Sequence, residues 1–275
     1  MLRRQALAAL AGLFLIPGAA QARRPLRLGV LPIHSTRVLV QRYEPLRLYL
    51  ERILKQRVQV ETAPNFMEFH KRTLAQAFDL VVTPAHMGRI AELRAGWRPL
   101  VQLQPDHDSM IVTTASHPIA SVLELRGETL AVIDRLAMTA SAAIEHIRAA
   151  GLKPDRDFQV TEYRTHASVI HALLSGRARA AVSTSQGMHQ IPDDLRSQVT
   201  VFRHITDIPA FVIMVRDRVG GVDVPRLTQA LLDFPHQSEG IDLFGRIGYT
   251  HLHRADAAAM ARADPFTGDL LQLLP

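Results

Sequence analysis

The sequence predicts an α/β protein of two lobes, each a sheet flanked by helices, with a ligand cleft between them. Three observations carry this reading. Short apolar runs alternate with amphipathic helices from Leu26 to Ala95, the β-α-β-α-β-α order of a doubly wound sheet. A second block of the same kind runs from Leu130 to Val182. Two extended crossings, near 104–110 and 204–210, join the blocks. Lobe one is then 23–105 plus 208–275, and lobe two is 106–207. Ligands of open α/β sheets bind beyond the carboxyl ends of the strands. Two such ends facing one another form a cleft that a hinge closes.

The elements follow in order. Leu26 to Leu31 is an apolar run stopped by Pro32, a buried first strand. Leu39, Val40, Tyr43, Leu46, Leu50, Ile53 and Leu54 recur at three- and four-residue intervals, which predicts a long amphipathic helix. Val58–Thr62 alternates as a second strand, 66–77 is a helix, and 78–83 is a third strand ended by Pro84. A helix over 86–95 is closed by Gly96. Strands at 100–103 and 109–114 flank the break Pro105-Asp-His-Asp108. In the second block, 130–134 is a strand and 139–150 a helix ended by Gly151 and Pro154. A strand at 158–163, a helix at 167–175 and a strand at 178–182 complete that block. Strands at 199–203 and 211–216 lie on either side of Asp207-Ile-Pro209, and 224–234 and 238–247 are helical. No internal sequence repeat is visible.

The N-terminus reads as an export signal. Arg3 and Arg4 precede an apolar stretch, Ala6 to Ile16, too short to span a bilayer, and Ala20-Gln21-Ala22 is an A-x-A cleavage site. Cleavage after residue 22 leaves 253 residues, enough for a sizeable core. The Arg-Arg pair fits either the general secretory or the twin-arginine route. No later apolar stretch approaches membrane-spanning length, and the absence of cysteine excludes disulfides, thiolate metal sites and a lipidated cysteine. A free periplasmic monomer is expected. The formal charge of +6 includes Arg3 and Arg4, so the mature chain carries about +4. Its basic residues are scattered and only 5% of residues are aromatic, which excludes nucleic-acid binding and favours a small anionic solute.

Four stretches carry a family resemblance. Tyr43-Glu-Pro-Leu-Arg-Leu-Tyr-Leu-Glu51 is similar to a "y-x-P-l-x-x-y-L-e" helix, and Leu74-Ala-Gln-Ala-Phe-Asp-Leu80 to an "l-x-x-g-x-v-D" approach to a third strand. Residues 116–127 resemble "s-p-I-x-s-l-x-d-L-k-G", and residues 165–176 resemble "s-H-x-x-v-x-x-a-l-x-x-G". In this order they resemble the periplasmic binding proteins of phosphate, phosphite and phosphonate ABC transporters, a branch of the type II periplasmic-binding fold. The resemblance runs from about Leu26 to the C-terminus. It implies capture of a small oxyanion and delivery to a transporter permease, with no covalent chemistry. The chain departs from the family at its Ser-Thr-Ser-Gly turn, where Ala137-Met-Thr-Ala-Ser-Ala142 keeps two hydroxyls and loses the glycine. It also lacks the tyrosine after the third strand, and no acidic residue is evident near Ser183-Thr-Ser-Gln-Gly187 to grip an aminoalkyl tail.

The resemblance and the strand ends nominate ligand residues. Thr139 and Ser141 sit where a helix start supplies backbone N–H groups and a positive dipole end, or else one of them is only an N-cap. His166 falls at the next helix start and matches the family histidine; it donates to an anion, more strongly if protonated. Thr83 and His86 flank Pro84 after the third strand, His34 and Ser35 follow the first, and Thr184 and Ser185 follow the strand at 178–182. Asp207 marks the second crossing, as ligand group or hinge.

Other readings have their own signals. The same fold can report to a membrane histidine kinase instead of a permease. Thirteen histidines raise a metal or metallo-cofactor carrier, but His251 and His253 lack a third partner at fixed spacing and read as a solvated pair. His166 and His171 are five apart, off the spacing that aligns ligands on a helix face. The sequence has no G-x-S-x-G, P-loop or H-E-x-x-H, so no enzyme is expected.

Overall fold

The computed structural model describes residues 24–189 and 191–273, so the export signal at 1–22 lies outside the described residues. The first stretch is β1 (Leu26–Val30), α1 (Thr36–Leu54), β2 (Val58–Glu61), α2 (Phe66–Leu74), β3 (Leu80–Pro84), α3 (Ala85–Ala95) and β4 (Trp97–Gln104). The chain then crosses to β5 (His107–Thr114), β6 (Thr129–Val132), α4 (Met138–Ala149), β7 (Gln159–Glu162), α5 (His166–Leu174) and β8 (Ala180–Ser183). Next come α6 (Ser185–His189), α7 (Asp193–Arg196) and β9 (Val199–Ile208). The return comprises β10 (Phe211–Arg216), α8 (Val224–Asp233), α9 (Ser238–Ile247), β11 (His251–Arg254), α10 (Ala257–Ala261) and α11 (Gly268–Leu273).

Two sheets result, and they repeat one design. The first has the order β11-β4-β10-β3-β1-β2, the second β7-β6-β8-β5-β9. Each has three parallel strands and one antiparallel strand delivered across a crossing: β10 in the first, β5 in the second. Register fixes the correspondence. Leu28 pairs with Val60 and Leu80, and Leu130 pairs with Val160 and Ala180. Asp79 N–H bonds to a β1 carbonyl just as Arg179 N–H bonds to one at β6. Asn65 caps α2 by accepting from Glu68 N–H, as Thr165 caps α5 by accepting from Ser168 N–H. Following the chain from these points, Phe66 matches His166, His70 matches Ile170, and Thr83 matches Ser183. The repeat is one of backbone, with the side chains diverged, and that is why the sequence does not display it.

The element reading holds with shifts of one to a few residues at the ends. The crossings are tighter than expected, because β4 and β5 run to within two residues of each other and β9 continues through Asp207 to Ile208. Three features are absent from the sequence reading: β11, which pairs antiparallel with β4 and covers its edge, the short helices α6 and α7, and the C-terminal helices. The hydrophobic spacing in these short pieces covers too few turns to register as a period.

Apolar clusters line both faces of each sheet. A fifth cluster joins the two halves: Ala85 at the start of α3, Met138 and Ala142 at the start of α4, Ile208 on β9, and Ala263. The C-terminal segment also ties both sides, through Arg89–Asp264 on α3 and Arg148–Asp269 on α4. At the base of the first sheet the buried Asp79 accepts two bonds from Arg24 and one from Arg216, each 2.7 Å, and one from Arg27 N–H at 2.9 Å.

Candidate functional site

The carboxyl end of β3 runs directly into α3, that of β6 reaches α4 through the turn 133–137, and the two helix starts meet. Pro84 precedes Ala85 and no side chain caps α3; Ala137 precedes Met138 and no side chain caps α4. Both helices therefore begin with N–H groups that no side chain of their own cap satisfies. The turn before α4 inserts Leu136 among the apolar residues of lobe one, beside Leu31, Phe69 and Met87. Its carbonyl accepts from His86 Nε2 at 3.0 Å. Within lobe two, Ser109 Oγ on β5 donates to the Thr139 carbonyl at 2.9 Å and holds the first turn of α4.

Lobe one concentrates unpaired polar atoms here. Thr83, His70 and His86 are fully buried. Thr83 Oγ1, both ring nitrogens of His70, and His86 Nδ1 have no hydrogen-bond partner. A carbonyl only accepts, so His86 carries its proton on Nε2 and presents a bare lone pair at Nδ1. Burial pushes the His86 pKa down to about 3, with the Leu136 carbonyl opposing and nearby His70 adding to the fall. Burial alone pushes His70 down to about 4. Both rings are neutral at pH 7. Asp134, on the turn that carries Leu136, is pushed up to about 6 by burial, against its bond from Leu136 N–H.

Of the residues nominated from sequence, Thr83, His86, Thr139 and Ser141 fall at or behind the two helix starts. Neither Thr139 nor Ser141 is the N-cap, which is Ala137. Thr139 is half-buried and Ser141 buried. His166 opens α5 in lobe two, its Nδ1 3.3 Å from Ser183 Oγ and its ring pressed on Gly187, where a Cβ would come within 2.4 Å. Burial lowers its pKa, which disfavours the protonated form that would donate more strongly. Thr184 Oγ1 accepts from Gly187 N–H at 2.8 Å. Ser185 bonds to Asp108 Oδ2 through both its N–H (2.9 Å) and its hydroxyl (2.6 Å), and His204 Nε2 lies 2.9 Å from the same oxygen. The expectation that no acidic residue lies near 183–187 is therefore corrected. Asp108 arrives from β5, 77 positions away in sequence. His34 and Ser35 are exposed, and His34 Nε2 is engaged by Arg42 at 2.7 Å. Asp207 is exposed at the crossing with φ of 62°, and its carbonyl accepts from Arg262.

Residues 28–260 match the family described as the periplasmic substrate-binding protein of the phosphonate ABC transporter. The chain belongs to this family. No curated protein sequence matches it. Three solved structures share the fold. XAC2383 of Xanthomonas citri, bound to chloride, is 16% identical with a TM-score of 0.78 over 90% of this chain and 97% of its own. PhnD1 of Prochlorococcus marinus, in complex with methylphosphonate, is 14% identical with a TM-score of 0.73 over 90% and 98%. The periplasmic aliphatic sulphonate binding protein SsuA of Escherichia coli is 16% identical with a TM-score of 0.63 over 90% and 88%.

A phosphonate-family binding protein is a solute receptor and not an enzyme; membership implies an exported, periplasmic protein with a small solute and a permease as partners. No described helix is long and apolar enough to cross a membrane. Among the described residues no three His, Cys, Asp or Glu side chains are grouped to hold a metal ion. His251 bonds to Thr250 and is exposed, while His253 is half-buried on β11. Sequence reasoning missed His70. It sits on the inner face of a helix where spacing calls for an apolar residue, and only its unpartnered nitrogens distinguish it.

Proposed function

We propose that this protein captures a small oxyanion, of the phosphonate, phosphite or phosphate kind, between two lobes and hands it to an ABC transporter permease. The lobes are 23–105 plus 208–275, and 106–207. One observation carries the reading: two helix N-termini meet at the seam beside the buried, partnerless Thr83 hydroxyl and His70 ring and the free Nδ1 of a neutral His86. Helix starts supply N–H donors and a positive dipole end suited to an anion. Unpaired buried polar groups cost about 1–3 kcal/mol each, which a bound solute recovers. Thr139 and Ser141 extend the donor set from α4. His166, Thr184, Ser185, His34, Ser35 and Asp207 stand around the lobe edges as contributors to selection and hinge motion. Capture is a population shift toward a closed form that the solute binds better.

The test is thermal unfolding of residues 23–275 against phosphate, phosphite, methylphosphonate, aminoethylphosphonate and sulfate. A ligand at one hundred times its dissociation constant adds about 2.7 kcal/mol of stability. A rise in Tm with one oxyanion, diminished by Thr83→Val or Thr139→Ala, is the expected result. No rise with any oxyanion sinks the reading.

A further inference from the structure

We propose that binding of the oxyanion is coupled to uptake of one proton by the buried His70–His86 pair. The inference rests on the oxyanion reading and adds a residue, His70, and a linkage to it.

An anion that faces the free nitrogen of His86 needs a proton there. His86 spends its one N–H on the Leu136 carbonyl, so its other nitrogen offers only a lone pair toward its surroundings. A lone pair repels an anion; a protonated Nδ1 donates to it. His70 lies close enough to disfavour charge on His86, and neither of its nitrogens has a partner. Both rings are wholly buried. The position of His70 does not need a polar residue for folding, because the matching place on α5 holds the buried Ile170. A histidine kept there, buried and unpaired, has a use outside the unliganded fold.

The surroundings leave the pair to respond to the ligand. Helix α2 carries Glu68, Lys71 and Arg72, of which Arg72 is held by Glu61. Helix α3 carries Arg89, Glu92 and, in its last turn, Arg94; Arg89 pairs with both Glu92 and Asp264. The turn before α4 carries Asp134 and Arg135, the latter paired with Asp155. None of these charges governs either ring; burial governs His70, and burial, the Leu136 carbonyl and His70 govern His86. An anion at the seam supplies the missing opposite charge, which favours the protonated form. The proton comes from the buffer and returns to it on release.

The experiment is titration calorimetry of residues 23–275 at pH 7 in buffers of different ionisation enthalpy, with methylphosphonate, phosphite, phosphate and sulfate as probes. Phosphorus oxyanions bring a proton of their own that titrates near neutrality, so sulfate and the variants isolate the protein's share. The expected result is uptake of up to about one proton, with affinity weakening by up to about tenfold per pH unit above 7. That uptake falls away in His70→Asn and His86→Asn and persists in Asp134→Asn. An oxyanion that binds with an enthalpy independent of buffer overturns the proton linkage while leaving the oxyanion reading standing. Uptake that disappears in Asp134→Asn and survives in both histidine variants also overturns it. Failure of every oxyanion to bind overturns both. If a histidine variant does not fold, the wild-type sulfate series still overturns the linkage when its enthalpy is independent of buffer, and Asp134→Asn still overturns it when uptake disappears there.

Discussion

The two lobes share a strand order and differ in how they treat the same positions. In lobe two, Ser183 at the end of β8 meets His166 at the start of α5, and the ring rests on Gly187. In lobe one the matching threonine, Thr83, has no partner, and the position that holds the histidine in lobe two is Phe66. Lobe one instead draws imidazoles from places where lobe two has Ile170 and Gln186. The bases of the sheets differ as sharply. Asp79 is buried under Arg24, Arg27 and Arg216, whereas the matching Arg179 lies nearer the surface, bonding the His117 carbonyl and Glu124. Topology therefore fixes where strands end and helices begin, while the polar chemistry at those points is free to vary. Lobe two leaves the buried Thr113 hydroxyl unpaired, lobe one several such groups, and lobe one is the one expected to need a solute.

The base of lobe one depends most on Asp79. Burial by itself raises its pKa, but the Arg24 bond, the Arg27 N–H and the charges of Arg24 and Arg216 bring it below the usual carboxylate range. Its stabilisation is present above the unfolded value and is lost as pH falls through the folded one. Asp79→Ala leaves arginines without their counter-ion and costs about 3 kcal/mol or more, while Arg179→Ala costs under about 1 kcal/mol as a partly exposed pair. Urea unfolding at pH 7 reads both; equal losses would mean that the lobes are built alike at their bases.

A smaller effect tests how each sheet is filled. Gly29 on β1 lies beneath the Phe78 ring, where a Cβ would approach to 2.6 Å, while the matching pair in lobe two is Ala131 with Ala178. Gly29→Ala overpacks this spot and costs about 2 kcal/mol, read from the midpoint of thermal unfolding. A neutral result would show that Phe78 has room to move.

Giving lobe one the residue of lobe two should help stability. His70→Ile removes two unpaired buried nitrogens and gains about 1.5 kcal/mol at pH 7. The gain widens on acidification. The folded pKa of His70 is depressed to about 4 from 6.5, so the unfolded chain holds more protons between these values, and wild-type stability falls as pH drops through that window. Denaturation at pH 7 and pH 5 checks this, and a variant advantage that shrinks at pH 5 contradicts it. The smallest effect is at the strand ends. Thr83→Val gains about 1 kcal/mol by deleting an unpaired hydroxyl, and Ser183→Ala loses about as much by depriving His166 of its neighbour. Opposite signs in paired unfolding curves sharpen the contrast; the same sign erases it.

Much of this was legible in the residues. The spacing of Leu39, Tyr43, Leu46 and Leu50 predicts α1 and its buried face, and Gly96 ends α3 in the left-handed conformation that glycine tolerates. Thr83, His86 and Thr139 were reachable as strand-end and helix-start positions, because local order alone tells where a strand stops. His70 and Asp108 were not. One looks like a core position and the other like part of a crossing, and their meaning comes from neighbours far along the chain.

Periodicity and composition are local quantities, so the residues alone specify the alternation of strands and helices, the two blocks and their crossings, and the absence of cysteine chemistry. That Leu136 packs into lobe one, that His86 holds its carbonyl, and that Asp108 braces Ser185 emerges only in the folded chain. So does the position-by-position match of the two blocks. Burial, partnership and the resulting proton affinities are set by which distant surfaces come together, and that information is not carried by any single stretch of residues.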